Sequence, residues 1–171
     1  PARQAGEQGR GLTQRLIAAI SAPTAEGTLY EVDLRLRPSG NKGPVATRFS
    51  AFSDYQRKDA WTWEHMALSR ARVVAGDTDF AAKIGSETSS ILALPRDTRK
   101  VSKEVREMRA LIGEEKPAKG KWDFKLMPGG LIDLEFLAQF AAITNQAGAE
   151  TVETSTALSH LRIEGLAEDA R

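Results

Sequence analysis

The sequence predicts an α+β protein that is mostly helical, on three observations. Residues Thr28 to Arg37 alternate strictly between apolar and charged side chains, which is the period-two pattern of a β-strand. After this strand, apolar residues recur at helical spacing in successive segments, and glycines and prolines separate those segments. A single strand does not make a stable sheet, so its pairing partners are expected outside this chain or in a second chain.

Composition is that of an ordinary globular protein. The 171 residues are 41% hydrophobic and 27% charged, with no cysteine and only two histidines. The absence of cysteine excludes disulfides, thiolate metal sites and cysteine nucleophiles. A formal net charge of +1 does not favour nucleic acid as a partner. With no signal peptide and no apolar run of membrane-spanning length, we expect a cytoplasmic protein with no membrane partner.

The residues before the strand are expected to form a loop and then a helix. Residues 1–10 are polar and contain glycine, which is typical of a loop or a frayed end. Apolar residues at helical spacing follow, and Ser21-Ala22-Pro23 is expected to end that helix. After the strand, residues 38–44 are dense in turn-forming residues and must leave the sheet.

Five or six helices are predicted after this turn. Asp77 is expected to cap one of them and Asp97 or Thr98 another. The helix from Leu131 to about Ile143 is apolar on two sides, so it is expected to lie centrally. The chain is accordingly divided into residues 1–76, with the strand, and a helical region, residues 77–171. The predicted helices begin near Ser50, Asp59, Thr78, Asp97 or Thr98, Leu131 and Ser155.

The charged face of the strand is the first candidate site. Glu31, Asp33, Arg35 and Arg37 would point the same way, so Asp33 could bind a metal ion while the arginines bind phosphates. The alternative is a solvent-exposed face with cross-strand ion pairs, and the pattern by itself favours this alternative. The glycine-rich turn that follows could present backbone N–H groups to phosphate, or it could be a plain loop.

Two other acidic motifs are interpreted as structural. Asp77-Thr78-Asp79 has the D-x-D spacing of metal-dependent transferases, but it opens a helix and is better explained as an N-cap. Asp133 and Glu135 are two residues apart on a helix and so point about 200° away from each other. At most one of them lines a site. Asp133 is expected to be buried or capping, with an arginine partner from Arg70, Arg72 or the 99–109 helix.

Three separated blocks resemble a known family. The blocks LYEVDLRLRPSGNKGP, AFSDYQRKDAWTWEHMALSRARVVAGD and GGLIDLEFLAQF are similar to the bacterial glutamate–ammonia-ligase adenylyltransferase, the bifunctional regulator of glutamine synthetase. The resemblance implies an incomplete nucleotidyltransferase domain of the DNA polymerase beta type, followed by a helical bundle. The enzyme of this family holds two related nucleotidyltransferase domains. The segments RPSGNKGP and YQRKDAWTWEHMAL are similar to the C-terminal domain copy, which adds AMP from ATP to a tyrosine of glutamine synthetase.

The resemblance also implies roles for individual residues. Asp33 matches the third metal-binding carboxylate, so it is expected to be a catalytic Mg²⁺ ligand, with Arg35 and Arg37 as nucleotide-binding residues. The Gly-Ser…D-x-D strand that supplies the other two carboxylates is expected before residue 1, which implies that this chain alone is inactive. The expected partners are ATP, glutamine synthetase and the PII signal protein.

Two alternatives remain open at this point. The chain could come from the other copy of the same enzyme, which removes AMP from glutamine synthetase by phosphorolysis. It could also be a non-catalytic helical module that binds a signalling protein such as PII.

Overall fold

The computed structural model describes residues 2–144 and 153–159, which fall into two compact units that divide between Ala60 and Trp61. The first unit contains two of the described α-helices and a two-residue hairpin. The other described α-helices lie in the second unit. This mostly helical architecture confirms the coarse fold prediction. The predicted boundary at residue 76 falls inside the second unit and stays a prediction, as does the nucleotidyltransferase domain. The elements of the first unit are α1 (Ala2–Ser21), β1 (Pro23–Thr24), β2 (Gly27–Thr28) and α2 (Phe49–Lys58); those of the second are α3 (Thr62–Leu68), α4 (Thr78–Leu92), α5 (Thr98–Glu115), α6 (Leu131–Thr144) and α7 (Thr154–Ser159).

The helix α1 begins earlier than the sequence predicts. The expectation of a loop over residues 1–10 is wrong for residues 2–10, which are helical. Glutamine, arginine and glutamate are good helix formers, and the glycines in this stretch lower the helix propensity without ending the helix. The hydroxyl of Thr13 donates to the carbonyl oxygen of Gly9 at 2.9 Å, inside the same helix. The expected end of the helix at Ser21 is confirmed.

The predicted strand from Thr28 to Arg37 is wrong. Only its first residue pairs, in a two-residue antiparallel hairpin in which Pro23 faces Thr28 and Thr24 faces Gly27. The side chains of Leu29, Tyr30 and Leu36 are exposed. A period-two pattern defines two faces, but a strand also needs a neighbouring strand to accept its backbone hydrogen bonds. Within residues 2–144 and 153–159, no such neighbour lies beside residues 29–37.

The predicted turn after residue 37 is confirmed. A short 3₁₀ segment, Gly40–Lys42, follows Ser39, whose φ of 62° is left-handed. Gly43 closes the turn so tightly that an added Cβ would lie 2.0 Å from the carbonyl oxygen of Pro38. Only glycine fits there without moving the backbone.

The core of the second unit is built around α6, as the sequence predicts. This helix packs against α3, α5 and α7, and its alanines let those neighbours approach closely. Of the second apolar side of this helix, Ala141 is buried, but Leu134 and Leu137 are exposed. The apolar spacing in α4 predicts that Phe80 points inward, and it is exposed as well. The buried apolar side chains are Met66, Leu68, Ile91, Leu92, Val101, Val105, Ala138, Ala141, Ala142, Ile143 and Ala157.

Both predicted N-caps are confirmed. The Asp77 carboxylate accepts a hydrogen bond from the Phe80 N–H at 3.0 Å, and the Asp97 carboxylate accepts from the N–H groups of Arg99 and Lys100 at 2.9 and 3.2 Å. Asp77 therefore opens α4 as a cap, in agreement with the structural interpretation of its D-x-D motif. None of the helices in the described part of the chain is long and apolar enough to span a bilayer.

The final predicted helix is confirmed only in part. It begins at Thr154 and is described as far as Ser159, while Leu161 and Leu166, which were expected to point inward, lie outside the described residues. The expected loop from Asn145 to Thr154 also lies outside them, apart from its last two residues.

Arg96 holds the carboxyl ends of two helices together. Its Nη1 donates to the carbonyl oxygens of Leu92, Leu94 and Ile143 at 2.7, 2.9 and 3.3 Å, and its Nη2 donates to that of Ile91 at 2.9 Å. Leu92 and Ile143 lie in the last turns of α4 and α6, where a helix leaves carbonyl oxygens without intrahelical partners. Burial lowers the pKa of Arg96 from its usual value, although an arginine stays charged at any pH relevant here.

We expect Arg96→Met to lower the free energy of unfolding by about 2 kcal/mol, because partly buried carbonyls would lose a charged donor. Urea unfolding followed by circular dichroism measures the change. Arg99→Met is the matched control, because Arg99 is an exposed arginine on α5, and it should change stability by less than about 0.5 kcal/mol. Equal effects of the two substitutions would contradict this role for Arg96.

Candidate functional site

Asp33 and Arg35 lie together on the exposed segment between β2 and the turn. The Asp33 carboxylate accepts from the backbone N–H of Arg35 at 2.9 Å and from its Nε at 3.0 Å. Arg35 Nη2 donates to the second oxygen, Oδ2, at 2.6 Å, and the two side chains are 54% and 68% exposed. This hydrogen bond, with the charge of Asp33, raises the pKa of Arg35. An exposed ion pair of this kind contributes little to stability. Both charged groups are accessible to solvent.

Arg37 contacts the turn that follows it. Its Nε and Nη2 donate to the Gly43 carbonyl oxygen at 3.2 and 3.1 Å, and its Nη1 donates to the Leu34 carbonyl oxygen at 2.9 Å. Five planar donors allow arginine to join several carbonyls at once. The structure thus brings Asp33 and Arg35 together, and directs the guanidinium of Arg37 to the backbone of the turn. All three line one open concavity, together with Glu31, Val32 and Leu34.

The residues around Asp33 do not by themselves fit a magnesium ion. Magnesium prefers octahedral coordination by oxygen atoms, and both carboxylate oxygens of Asp33 already accept hydrogen bonds from Arg35. In the described ranges, no group of three or more acidic, histidine or cysteine side chains lies close enough together to hold a metal. A metal at Asp33 would need this pair to open and further oxygen ligands to arrive.

Asp133 is the second candidate, and the structure shows its expected arginine partner and a capping hydrogen bond. Arg109, from the 99–109 helix as expected, donates through Nε to Asp133 Oδ1 and through Nη2 to the Leu126 carbonyl oxygen at 3.1 Å. The backbone N–H of Gly129 donates to Asp133 Oδ2 at 2.6 Å. One carboxylate in the first turn of α6 therefore joins the preceding loop to α5. Arg70, another candidate partner, instead donates to the hydroxyl of Thr154.

The hydrogen bond from Arg109 is the main reason why the pKa of Asp133 lies below its usual value, and the Gly129 N–H and the arginine charge add to it. Burial opposes this change only partly, since the side chains of Arg109 and Asp133 are 20% and 31% exposed. Glu135 is exposed, as the 200° separation from Asp133 predicts.

The structure contains a mostly apolar groove between α5 and α6 that the sequence analysis did not predict. Its volume is about 280 Å³, and Asp133 and Arg109 form one end of it. Phe136 and Phe140 are four residues apart on α6, which is the spacing that could have indicated a shared face. The other lining residues are Ser102, Val105, Arg106 and Leu137.

The family model and the individual relatives that match this chain are all named as adenylyltransferases. Residues 5–87 match the family model described as glutamate-ammonia ligase adenylyltransferase. Three relatives are named bifunctional glutamine synthetase adenylyltransferase/adenylyl-removing enzyme. The one from Mesorhizobium japonicum is 64% identical over 146 residues, which cover 85% of this chain and 15% of the relative. Those from Brucella suis and Agrobacterium fabrum are 67% identical over 132 residues and 57% identical over 166 residues.

The matches cover most of this chain but little of the relatives. They span 77% and 92% of the chain for the Brucella suis and Agrobacterium fabrum proteins, and 13% and 17% of those proteins. The chain therefore spans about one sixth or less of the length of the curated relatives it matches.

We expect Asp133→Ala to lower the free energy of unfolding by about 1–3 kcal/mol, because it removes a partly buried ion pair and the acceptor for Gly129. Because the folded-state pKa of Asp133 is depressed, its contribution is complete above about pH 5 and is lost as the pH falls below about 4. The difference between variant and wild type should therefore shrink in acid, as urea unfolding at several pH values measures. Glu135→Ala is the control on the same helix and should have little effect. A difference that persists unchanged to pH 2 would exclude the carboxylate as its source.

Proposed function

Because these matches place the chain in the glutamate-ammonia ligase adenylyltransferase family, we propose that it is part of an enzyme that transfers AMP from ATP to a tyrosine of glutamine synthetase. The observation that carries the proposal is the 64% identity to the Mesorhizobium japonicum relative over 85% of this chain. The name of that relative states adenylyl transfer to glutamine synthetase. Identity at this level over so much of the chain supports a shared role for the segment.

In this proposal, residues 1–76 are the rear part of a nucleotidyltransferase domain. For the part of this range in the first unit, residues 2–60, the support is the distribution of apolar surface. In the described residues, every buried apolar side chain lies in the second unit, whereas Leu29, Tyr30 and Leu36 of the first unit are exposed. A domain cannot be stable without burying such side chains, so the first unit would complete its core with other parts of the longer protein. Residues 77–171 would be the helical appendage.

Asp33 is the proposed catalytic residue, as one ligand of Mg²⁺. Its support is an exposed carboxylate beside a guanidinium, in the same concavity as Arg37. Bound magnesium would neutralise charge on the ATP phosphates. The remaining ligands would come from carboxylates outside this chain. Arg35, released from Asp33, would bind phosphate, and Arg37 would hold the turn while contributing positive charge to the same concavity.

The partners in this proposal are ATP, glutamine synthetase and the PII signal protein, in the cytoplasm. Removal of AMP is the second candidate function, because the names of the relatives include an adenylyl-removing activity. The two candidates differ in direction: the first consumes ATP and labels glutamine synthetase, and the second consumes adenylylated glutamine synthetase and phosphate.

We predict that Asp33→Asn reduces AMP transfer more than about 100-fold, because an amide is a poor magnesium ligand of nearly the same volume. The test uses the complete Mesorhizobium japonicum relative, with this chain in place of its matching segment. Incorporation of labelled AMP into glutamine synthetase is measured, and release of AMP from labelled glutamine synthetase with phosphate tests the second candidate. Asp54→Asn is the control, because Asp54 is also an exposed aspartate paired with a cation, Lys58.

Loss of AMP transfer in Asp33→Asn, with AMP removal retained and with both activities retained in Asp54→Asn, supports the assignment. Loss of AMP removal alone would instead support the second candidate, and transfer by Asp33→Asn at the wild-type rate would contradict the assignment. An unmodified graft that does not add AMP would contradict the proposed function itself.

We also predict that the 171-residue chain alone transfers no AMP to glutamine synthetase, because no described residue places beside Asp33 the other carboxylates that two-metal chemistry requires. The purified chain is incubated with labelled ATP, magnesium and glutamine synthetase. The unmodified graft serves as the positive control. Label above that of an enzyme-free reaction would show that a complete catalytic site exists within this chain.

A further inference from the structure

The peptide unit between Leu34 and Arg35 is hydrogen-bonded on both of its sides. Its N–H donates to the Asp33 carboxylate at 2.9 Å. Its carbonyl oxygen accepts from Nη1 of Arg37 at 2.9 Å and from the backbone N–H of the same residue at 3.4 Å. A peptide unit is planar and rigid, so a side chain that fixes the direction of its carbonyl also fixes the direction of its N–H. The orientation of the Asp33 carboxylate is therefore linked to Arg37 through this peptide unit.

Arg37 is itself held by the turn that follows it. Its Nε and Nη2 donate to the Gly43 carbonyl oxygen at 3.2 and 3.1 Å, so that one guanidinium joins the carbonyls of Leu34 and Gly43. Arg37 is half-buried, whereas Arg35 is exposed. A guanidinium donates in several fixed directions, while a lysine ammonium is a compact point charge. The contact therefore requires the shape of arginine as well as a positive charge.

The backbone of the turn fixes the Gly43 carbonyl in its place. Ser39 has a left-handed φ of 62°, which is unfavourable for a residue other than glycine and persists only where the surrounding structure enforces it. The Gly40 N–H donates to the Arg37 carbonyl oxygen at 2.8 Å, and the Gly43 N–H donates to that of Gly40 at 3.1 Å. A Cβ added to Gly43 would lie 2.0 Å from the Pro38 carbonyl oxygen. The turn thus has one tight conformation to which Arg37 is attached.

We propose that Arg37 is a positioning residue for Asp33, because it connects the turn to the peptide unit whose N–H orients the Asp33 carboxylate. This inference rests on the proposed function, which makes Asp33 the catalytic residue. Arg37 acts through the backbone, and Gly43 contributes by letting the turn close. Loss of this connection lowers the rate of AMP transfer by misorienting the carboxylate, and it leaves the binding of ATP nearly unchanged.

The test uses the graft of this chain into the complete relative and measures kcat and the KM for ATP in AMP transfer to glutamine synthetase. Arg37→Gln should lower kcat about tenfold or more and change the KM for ATP less than about twofold, because orientation acts on the reaction step. Arg37→Lys should lose about as much, since lysine keeps the charge but does not join two carbonyls. Arg15→Gln is the matched control, because Arg15 is an exposed arginine of α1, and it should react as the wild type does.

Gly43→Ala tests the same connection without removing a charge. The added Cβ displaces the turn and with it the carbonyl that holds Arg37. The value of kcat should therefore fall about as far as in Arg37→Gln, and the variant with both substitutions should fall little further. Gly11→Ala is the matched control, because a Cβ at Gly11 would have nothing within 4 Å, and it should retain wild-type transfer.

A double-mutant cycle with Asp33 separates positioning from a general loss of structure. In an Asp33→Ala graft no carboxylate remains to be oriented, so Arg37→Gln should reduce the residual transfer less than about twofold. Loss of folded enzyme would instead reduce transfer by the same factor with and without the carboxylate.

Three results would overturn the positioning role. They are a raised KM for ATP with an unchanged kcat in Arg37→Gln, full transfer by Arg37→Lys, and equal losses from Arg37→Gln in the presence and absence of the Asp33 carboxylate. Any of these in a graft that transfers AMP would refute the positioning role while the proposed function stands. An unmodified graft that transfers no AMP would contradict the proposed function itself.

Discussion

The structure of the second unit depends on the burial of apolar side chains around α6. Uncharged side chains, the alanines and Ile143, are buried against the neighbouring helices in the second half of α6. Hydrogen bonds from or to charged side chains hold both ends of the helix. At its amino end the Asp133 carboxylate joins Gly129 to Arg109, and at its carboxyl end Arg96 donates to the Ile143 carbonyl. Helix ends need partners for backbone groups that the helix itself leaves unpaired. Here those partners also bring α4 and α5 to the same helix.

The features that could be predicted from sequence are those with a local cause. Asp77 and Asp97 cap helices because a cap acts within three residues, and the role of Asp133 followed from placing a charge in an apolar helix. The segment after Thr28 could not be predicted in the same way. Its alternation is real, but hydrogen bonds with another strand decide whether it is a strand, and they are not local. The pattern shows which side chains would share a face, and it does not identify what they would face.

At the candidate site, too, the sequence predicts which residues lie close together but not which contacts they make. The spacing of Asp33 and Arg35 predicts that they lie close together, and they do, but it does not show that they would pair with each other. The orientation of Arg37 depends on the carbonyl of Gly43, which reaches it only because the turn is very tight.

The division between Ala60 and Trp61 has a spectroscopic consequence. All three tryptophans, Trp61, Trp63 and Trp122, lie on the same side of it, in the second unit. Intrinsic tryptophan emission thus originates entirely from residues 61–171. A fluorescence melting curve would describe the helices around α6 and contain no direct signal from the segment with Asp33. Loss of structure in the first unit has to be followed through the far-ultraviolet signal of α1 and α2, or through the tyrosines Tyr30 and Tyr55.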